Sequence, residues 1–393
     1  MKRYLDHVEV SHINNATSLV AEYQGNVNQE ILARSFELLG ERFPILESRI
    51  LQNESGYYFD VSHSGAREFS AETGDEDVML QAACLPWDSS RSVCRLSLVS
   101  NDSAGFVVFR TDHSISDGAK KLAMFRKLWD IYTSLIDRGS IDDDTSSLFA
   151  VSPYEMLRRR HCEHKVSPSI TGVPPKVAKI FDANVFRVVL DTDETRAVVS
   201  TARENSTSVH ALVCGSILVA HRSGIESAVP LNMICHSAVD LRTHFRPPVG
   251  ATEVTNMVGS HKGVVSVEPG DEPVEIGSEI KASLDAVASD LVVTDATATP
   301  AGVHAQVDMG VPVVGVSNSG VVPPFSQPQN GLRITGFRPG VGNRIPLRFP
   351  NYLVGTYAGR LSLECLYATR YFSDQEIRNL VLESATTLRR ITS

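Results

Sequence analysis

One short polar turn in this sequence separates a strand pattern from a helix pattern. Residues 105–110 are rich in β-branched and aromatic side chains, which favours a strand. Large apolar residues then recur every three or four positions through residues 122–136, as on the buried face of a helix. The turn between them carries His113, Asp117 and Gly118 in the spacing H-x-x-x-D-G. A strand, a tight turn and a helix therefore hold these three residues in a fixed arrangement.

Each residue of this motif suits a different task. His113 lies on the turn, where an imidazole can be held rigidly as a base. Asp117 occupies the position of a helix N-cap, and Gly118 lets the backbone pass close to a bulky group. A histidine after a strand is more often only a satisfied polar group, and an aspartate before a helix is more often only a cap. The rest of the chain decides between these interpretations.

Strand and helix patterns alternate along the chain, which indicates an α/β layer structure. The first half predicts strands at residues 19–23, 94–98 and 106–111 and helices at 28–43 and 118–138. The second half predicts strands at 184–190, 231–239 and 311–316, helices at 193–204, 208–221 and 273–288, and a hairpin at 352–367. A chain of 393 residues exceeds one ordinary core. Periodicity is lost between residues 139 and 182, so we predict one domain at 1–170, carrying the motif, and a second at 171–393.

Composition excludes some partners and compartments. The 46 acidic and 37 basic residues give a formal net charge of −9, which disfavours nucleic acid. The six cysteines form no C-x-x-C pair and fit a reducing compartment. His161 and His164 lack further ligands, so no metal is expected. No signal peptide or membrane span is evident, and we expect a cytoplasmic protein.

Several segments resemble one known family. They are the helix at residues 28–43 with the R-F-P-I-L turn after it, the S-V-H-A-L start at 208–212, the V-D-L-R run at 239–242, P-P-V at 247–249, and T-E and T-N at 252–256 with Gly259. Together with the H-x-x-x-D-G motif, they are similar to the polyketide-associated acyltransferases. This group includes the phthiocerol/phthiodiolone dimycocerosyl transferases and lies within the condensation and chloramphenicol-acetyltransferase-like superfamily. The resemblance extends from about residue 5 to residue 390.

The resemblance implies both a fold and an activity. The fold would be α/β (α+β), with two chloramphenicol-acetyltransferase-like domains, each a mixed sheet with helices, and a tunnel between them that has His113 at its middle. The activity would be O-acyl transfer from acyl-CoA or an acyl carrier protein to a hydroxyl of a polyketide, lipid or other secondary metabolite. His113 would act as the general base without a covalent intermediate. The thioester is then a co-substrate, no cofactor is bound, and the enzyme is expected to be a monomer.

The resemblance also assigns roles to other residues. Asp117 would be structural and held by an arginine, and Gly118 would leave room at the tunnel wall. Ser317 and Asn318 follow the strand predicted at 311–316 and match a position where a hydroxyl bonds the tetrahedral intermediate, although S-N-S-G also suits an ordinary turn. The remaining candidates bind the donor or support the site: Asp240, Arg242 and Asn256.

Two positions depart from the family pattern. The usual double histidine is Asp112-His113 here, and the first position is mostly structural in related enzymes. Glu47 replaces the arginine that often pairs with the motif aspartate, so Arg49 and Arg242 are the candidate replacements. The acidic residue at the first position motivates one alternative, a non-catalytic docking protein that kept the fold. The other alternative is an amide-forming condensation-type enzyme, which the intact D-L-R and P-P-V segments disfavour.

Overall fold

Fourteen strands and nine α-helices lie in the part of the chain that the computed structural model describes, residues 2–61, 67–141, 149–166, 174, 183–290, 292–293, 307, 310–342 and 348–392. The strands are β1 Lys2–Tyr4, β2 Ala16–Gln24, β3 Arg49–Asn53, β4 Gly56–Asp60, β5 Glu68–Thr73, β6 Cys94–Asn101, β7 Ala104–Asp112, β8 Ala183–Val189, β9 Leu231–Asp240, β10 Val258–Val267, β11 Val313–Val321, β12 Arg333–Gly342, β13 Asn351–Tyr357 and β14 Arg360–Ala368. The helices are α1 His7–Val10, α2 Gln29–Arg42, α3 Glu76–Cys84, α4 Gly118–Arg138, α5 Pro153–Arg159, α6 Thr192–Glu204, α7 Val209–Ser223, α8 Pro273–Val287 and α9 Asp374–Arg390.

The strands form two large mixed sheets and one small sheet. The first large sheet has the order β12-β2-β7-β6-β5, and its β5–β6 pair is parallel. The second has the order β10-β9-β11-β13-β14-β8, and β11 is parallel to both of its neighbours. Strands β1, β4 and β3 form the small antiparallel sheet. The predicted fold class, mixed sheets with helices, is confirmed.

Strand β12 links the two halves of the chain. It lies between β11 and β13 in sequence but pairs antiparallel with β2, so that Arg338 stands opposite Val20. The second half therefore completes the edge of the first large sheet, and β12 brings Pro339 and Gly340 to the cavity between the large sheets. The predicted boundary at residue 170 lies outside the described residues, and the division into 1–170 and 171–393 stays a prediction.

Strand β7 and helix α4 lie on either side of the motif turn and contact each other. The helix begins after its N-cap Asp117 and ends at Gly139, whose φ of 70° places it in the left-handed region that favours glycine. The buried rings of Phe109 on β7 and Phe125 on α4 stack with centroids 5.5 Å apart. The helix predicted at residues 118–138 is confirmed, and the strand predicted at 106–111 is two residues longer at its start and one at its end.

The prediction that Ser317 and Asn318 follow a strand is wrong. Strand β11 continues to Val321, because Ser317 pairs with Leu353 and Asn318 with Val354 of β13. The pairing becomes irregular after Asn318, where the Gly320 N–H donates to the Asn318 side chain. The turn-like composition of S-N-S-G reflects this irregular end of the strand.

A buried histidine of the second half gives the stability of the protein a pH dependence. His221 Nε2 lies 2.8 Å from the Tyr352 hydroxyl, and burial lowers the pKa of His221 from 6.5 to about 4. The unfolded chain binds a proton on this ring at a higher pH than the native chain does. The contribution of neutral, buried His221 to the free energy of unfolding is therefore complete above pH 6.5 and is lost as the pH falls through about 4.

We therefore expect the free energy of unfolding to fall more steeply between pH 6.5 and pH 4 in the parent protein than in His221→Gln. Urea unfolding at a series of pH values measures both slopes. Parallel plots of the free energy of unfolding against pH for the two proteins would show that His221 does not contribute to the pH dependence. His210, which has a similarly lowered pKa, is present in both proteins and cancels in the comparison.

Candidate active site

His113 is held at the carboxyl end of β7 by its backbone and by a second histidine. Its N–H donates to the Asn15 carbonyl at 2.7 Å, and only 8% of the residue is exposed. The ring of His12 stacks on the ring of His113, with centroids 4.7 Å apart and planes 15° apart. Nothing in the sequence pattern singled out His12, because it follows α1, about one hundred residues before the motif.

Asn256, from the second half of the chain, contacts both imidazoles. Its Nδ2 lies 3.1 Å from His113 Nδ1 and 3.3 Å from His12 Nε2, and its Oδ1 accepts a hydrogen bond from the Val258 N–H. Asn256 is fully buried. It therefore lies on the Nδ1 side of the His113 ring and links that ring to His12.

Asp117 forms a buried ion pair with Arg242. Arg242 Nη1 lies 2.7 Å from Asp117 Oδ2, and the same oxygen accepts the Met257 N–H at 2.7 Å. The other oxygen caps α4 by accepting the Lys120 N–H. Arg242 is 3% exposed and also bonds Asp240 at 3.1 Å. Burial opposes the charge of Arg242, but Asp117 and Asp240 outweigh it and raise the pKa of the guanidinium.

Of the two arginines proposed as partners of Asp117, the structure brings Arg242 to it. Arg49 instead pairs with Asp60 at 3.2 Å, and Glu47 pairs with Arg67. Because both Asp117 oxygens are engaged away from His113, Asp117 joins α4 to the turn after β9 and to β10. This arrangement favours the structural role over that of a base.

The side chain of Asp112 stabilises the motif turn through buried hydrogen bonds. Its fully buried carboxylate accepts hydrogen bonds from the Ser89 hydroxyl and from the hydroxyl and N–H of Ser114. Burial raises the pKa of Asp112, against the opposing effect of these hydrogen bonds. The carboxylate thus holds the loop that carries His113.

We expect Asp112→Asn to keep most of the rate of the acyl transfer that the resemblance implies, because an amide oxygen can still accept the Ser114 N–H. Loss of the charge-assisted bonds should lower the free energy of unfolding by about 1–3 kcal/mol. Initial rates check the expected activity, and urea unfolding of the same preparation checks the expected loss of stability. A collapse of the rate with unchanged unfolding would mean that the Asp112 carboxylate acts on His113 during turnover.

A cavity between the two large sheets brings the candidate residues together. It encloses about 950 Å³ of empty space, including its mouth, and His113, Gly118 and Ser317 all line it. A neighbouring cavity of about 650 Å³ shares Gly118 and Ser317 and is also lined by Asp117, Asn318, Asp240 and Arg242. A Cβ placed on Gly118 would meet no atom within 4 Å, as expected for a residue facing open space.

The described part of the chain offers no alternative metal site. No group of three or more His, Cys, Asp or Glu residues is arranged to hold a metal ion there, and His161 and His164 form no part of one. Among the same residues, no helix has the length and apolar character to span a membrane.

Comparison with known proteins finds similarity to one group of transferases. Residues 181–366 match the family model described as the phthiocerol/phthiodiolone dimycocerosyl transferase C-terminus. The phthiocerol/phthiodiolone dimycocerosyl transferase of Mycobacterium ulcerans (strain Agy99) is 25% identical over 372 residues, covering 88% of this chain and 87% of the relative. The enzyme of the same name from Mycobacterium tuberculosis (strain ATCC 25618 / H37Rv) is 23% identical over 384 residues, with the same coverage.

Solved structures share the fold over the whole chain. Polyketide synthase associated protein 5 from Mycobacterium tuberculosis has a TM-score of 0.78 at 22% identity, covering 100% of this chain and 97% of the other. The first condensation domain of the calcium-dependent antibiotic synthetase, in complex with a substrate analogue, has a TM-score of 0.71 at 12% identity, with 100% and 96% covered. The trichothecene 15-O-acetyltransferase of Fusarium sporotrichioides has a TM-score of 0.71 at 12% identity, with 100% and 95% covered.

These comparisons confirm the resemblance and the enzyme class. The chain is similar to polyketide-associated acyltransferases over most of its length and has the condensation and acetyltransferase fold. The predicted class, an acyltransferase, is confirmed with them, since the curated relatives are transferases.

Proposed function

We propose that this acyltransferase esterifies a hydroxyl of a polyketide, lipid or related secondary metabolite, with a thioester of coenzyme A or of an acyl carrier protein as donor. The observation that carries the proposal is the placement of His113, which is buried on a rigid turn and lines a cavity between the large sheets. The relatives, named as dimycocerosyl transferases of phthiocerol and phthiodiolone, support acyl transfer to a hydroxyl in general. A cytoplasmic monomer without a bound cofactor is part of the same proposal.

The chemistry needs one base and one oxyanion donor, because the thioester is already activated. His113 Nε2 takes the proton of the acceptor hydroxyl, and the oxygen attacks the thioester carbonyl. The tetrahedral intermediate then collapses, the carbon–sulfur bond breaks, and the imidazolium returns the proton to the leaving thiolate. The products are an ester and a free thiol, with no acyl group on the protein.

Asn256 is part of the same proposal as a positioning residue. Its Nδ2 lies 3.1 Å from His113 Nδ1, and its Oδ1 accepts a hydrogen bond from the Val258 N–H. The anchored amide therefore supports the His113 ring from its Nδ1 side. A base that acts at Nε2 must be held in one orientation toward the reacting hydroxyl, and Asn256 contributes to that orientation without touching the reactants.

Ser317 is the best-placed candidate for the oxyanion. It lies on β11, belongs to the second large sheet, and lines the same cavity as His113. Ser317 is half-buried, and the pairing of β11 with β13 becomes irregular after the next residue, Asn318. A hydroxyl that bonds the intermediate more strongly than the ground-state carbonyl lowers the barrier.

We expect Ser317→Ala to lower kcat about 10²- to 10³-fold with little change in KM. Initial rates at saturating donor and acceptor measure this directly. Ser319→Ala, on the same strand and lining the same cavity, is the matched control and should stay close to the parent protein. Equal rates for Ser317→Ala and the parent would assign the oxyanion to another donor.

The direct test of the proposal is thiol release from octanoyl-CoA in the presence of secondary alcohols, with ester identified by mass spectrometry. Primary amines in parallel reactions test the condensation-type alternative, which predicts amides. Octanoyl groups on a carrier protein, compared with octanoyl-CoA, identify the preferred donor. Absence of both ester and amide with either donor would favour the non-catalytic docking protein.

A further inference from the structure

Lys121 is a buried lysine at the wall of the cavity that contains His113. It lies three residues after Gly118 on α4, so the two residues share one face of the helix, and both line the cavity. The residue is 2% exposed. Lysine is almost never buried to this extent unless it is paired, so we expect Lys121 to have a partner of opposite charge.

The contacts of Lys121 within the protein leave its charge uncompensated. Its Nζ donates to the Thr17 carbonyl at 2.8 Å and to the Thr17 hydroxyl, which are both neutral acceptors. Within the described residues, Lys121 forms no ion pair with a carboxylate. An ammonium has three N–H donors, and Thr17 accounts for two of them.

The charged groups around Lys121 are engaged elsewhere. Asp117 is paired with Arg242, and Asp112 accepts bonds from Ser89 and Ser114. Burial lowers the pKa of Lys121 to about 7, while Asp117 and Asp112 act to raise it and Arg110 to lower it. Among the described residues that line the cavity, the other titratable side chains are those of His113 and His236. An anion at this wall would supply the missing counter-charge.

The rest of the cavity wall is also polar in places. The lining side chains that can form hydrogen bonds come from both large sheets and include Thr17, His236, Ser260, Ser317, Ser319 and Asn351. A cavity built only for alkyl chains has no need of these groups. They favour an acceptor that carries oxygen atoms besides the hydroxyl that is acylated.

We infer that Lys121 binds a carboxylate of the acyl acceptor, so that the preferred acceptor is a hydroxy acid. This inference rests on the proposed O-acyl transfer and names its substrate class. The Lys121 ammonium, held by Thr17, donates its third N–H to a carboxylate oxygen, while the hydroxyl of the same molecule reaches His113. Lys121 acts by binding and takes no part in the proton transfer.

The test compares acceptors that differ only in charge. Hydroxyoctanoates with the hydroxyl at different carbons, each beside its own methyl ester, compete as acceptors with octanoyl-CoA as donor. At least one acid should exceed its ester about 10- to 100-fold in kcat/KM, the range expected for a hydrogen bond between charged groups. In Lys121→Met this ratio should fall to near one, through a rise in the KM for the acid and no change in the KM for the donor.

Two further variants keep the test decisive. Lys120→Met removes the neighbouring lysine, which is equally buried but lines neither cavity, and should keep the preference for the acid. Lys121→Gln preserves N–H donors without the charge and should lose the preference even if Lys121→Met folds poorly. A parent protein that acylates esters and acids equally, or a Lys121→Gln variant that keeps the preference, would overturn the inference. A change confined to the donor KM would also overturn it, since Lys121 would then contact the donor.

These outcomes differ from a failure of the proposed function. If neither acids, esters nor plain alcohols are acylated by the parent protein, O-acyl transfer itself is wrong. If esters and plain alcohols are acylated without any preference for acids, only the carboxylate site is wrong.

Discussion

Replacing His113 with alanine is expected to lower the rate of acyl transfer at least about 10²-fold while leaving the fold intact. A general base typically contributes a factor of this size, because without it the hydroxyl must attack as a neutral group. The turn that carries His113 is held by the backbone bond to Asn15 and by Asp112, and neither depends on the imidazole. Initial rates and thermal melting of the same preparations measure the two effects separately.

The matched control for this variant is His164→Ala. His164 is exposed, lies in a short turn at Glu163–Lys165 and lines neither cavity, so both rate and melting should equal those of the parent. Near-normal turnover in His113→Ala would remove His113 as the base. The stacked His12 would then be the ring to test next.

The second large effect concerns stability. Arg242→Ala removes the cation from a buried pair and leaves the Asp117 carboxylate inside the protein without its ion-pair partner. Breaking such a pair typically costs about 3–5 kcal/mol. We expect the free energy of unfolding, measured in urea, to fall by this amount. Activity should fall with it, because Asp117 also caps α4 and holds the Met257 N–H beside Asn256.

Arg158→Ala serves as the control, because Arg158 forms an exposed pair with Glu155 in α5 and should change stability little. If Arg242→Ala unfolds like the parent but needs more donor for half-maximal rate, Arg242 binds the thioester donor. Added salt would then weaken donor binding in the parent more than in the variant. Parent-like unfolding and donor binding together would remove Arg242 from the site.

The motif turn was predictable because its signals are local. The strand and helix around it were recognised from periodicity alone, and the N-cap position of Asp117 from residue type. The partner of Asp117 could only be narrowed to Arg49 and Arg242. Choosing between them needs the contact between α4 and the turn after β9, which joins residues 125 positions apart.

Other parts of the site depend on contacts that no local pattern encodes. The stacking of His12 on His113 and the bridge from Asn256 join three separate segments of the chain. The crossing of β12 into the first sheet likewise follows from edge pairing with β2. For Ser317 the local composition was misleading, because pairing with β13 keeps the residue in a strand where the sequence suggests a turn.

The most direct test of the mechanism is a single-turnover reaction with excess enzyme and octanoyl-CoA labelled in the acyl chain, quenched with and without a secondary alcohol. We expect the label to pass to the ester only when alcohol is present, at a rate that collapses in His113→Ala. Intact-mass measurement of the protein should show no octanoyl adduct at any time. An octanoyl group on the chain before ester forms, or ester formation at an equal rate in His113→Ala, would contradict direct transfer with His113 as the base.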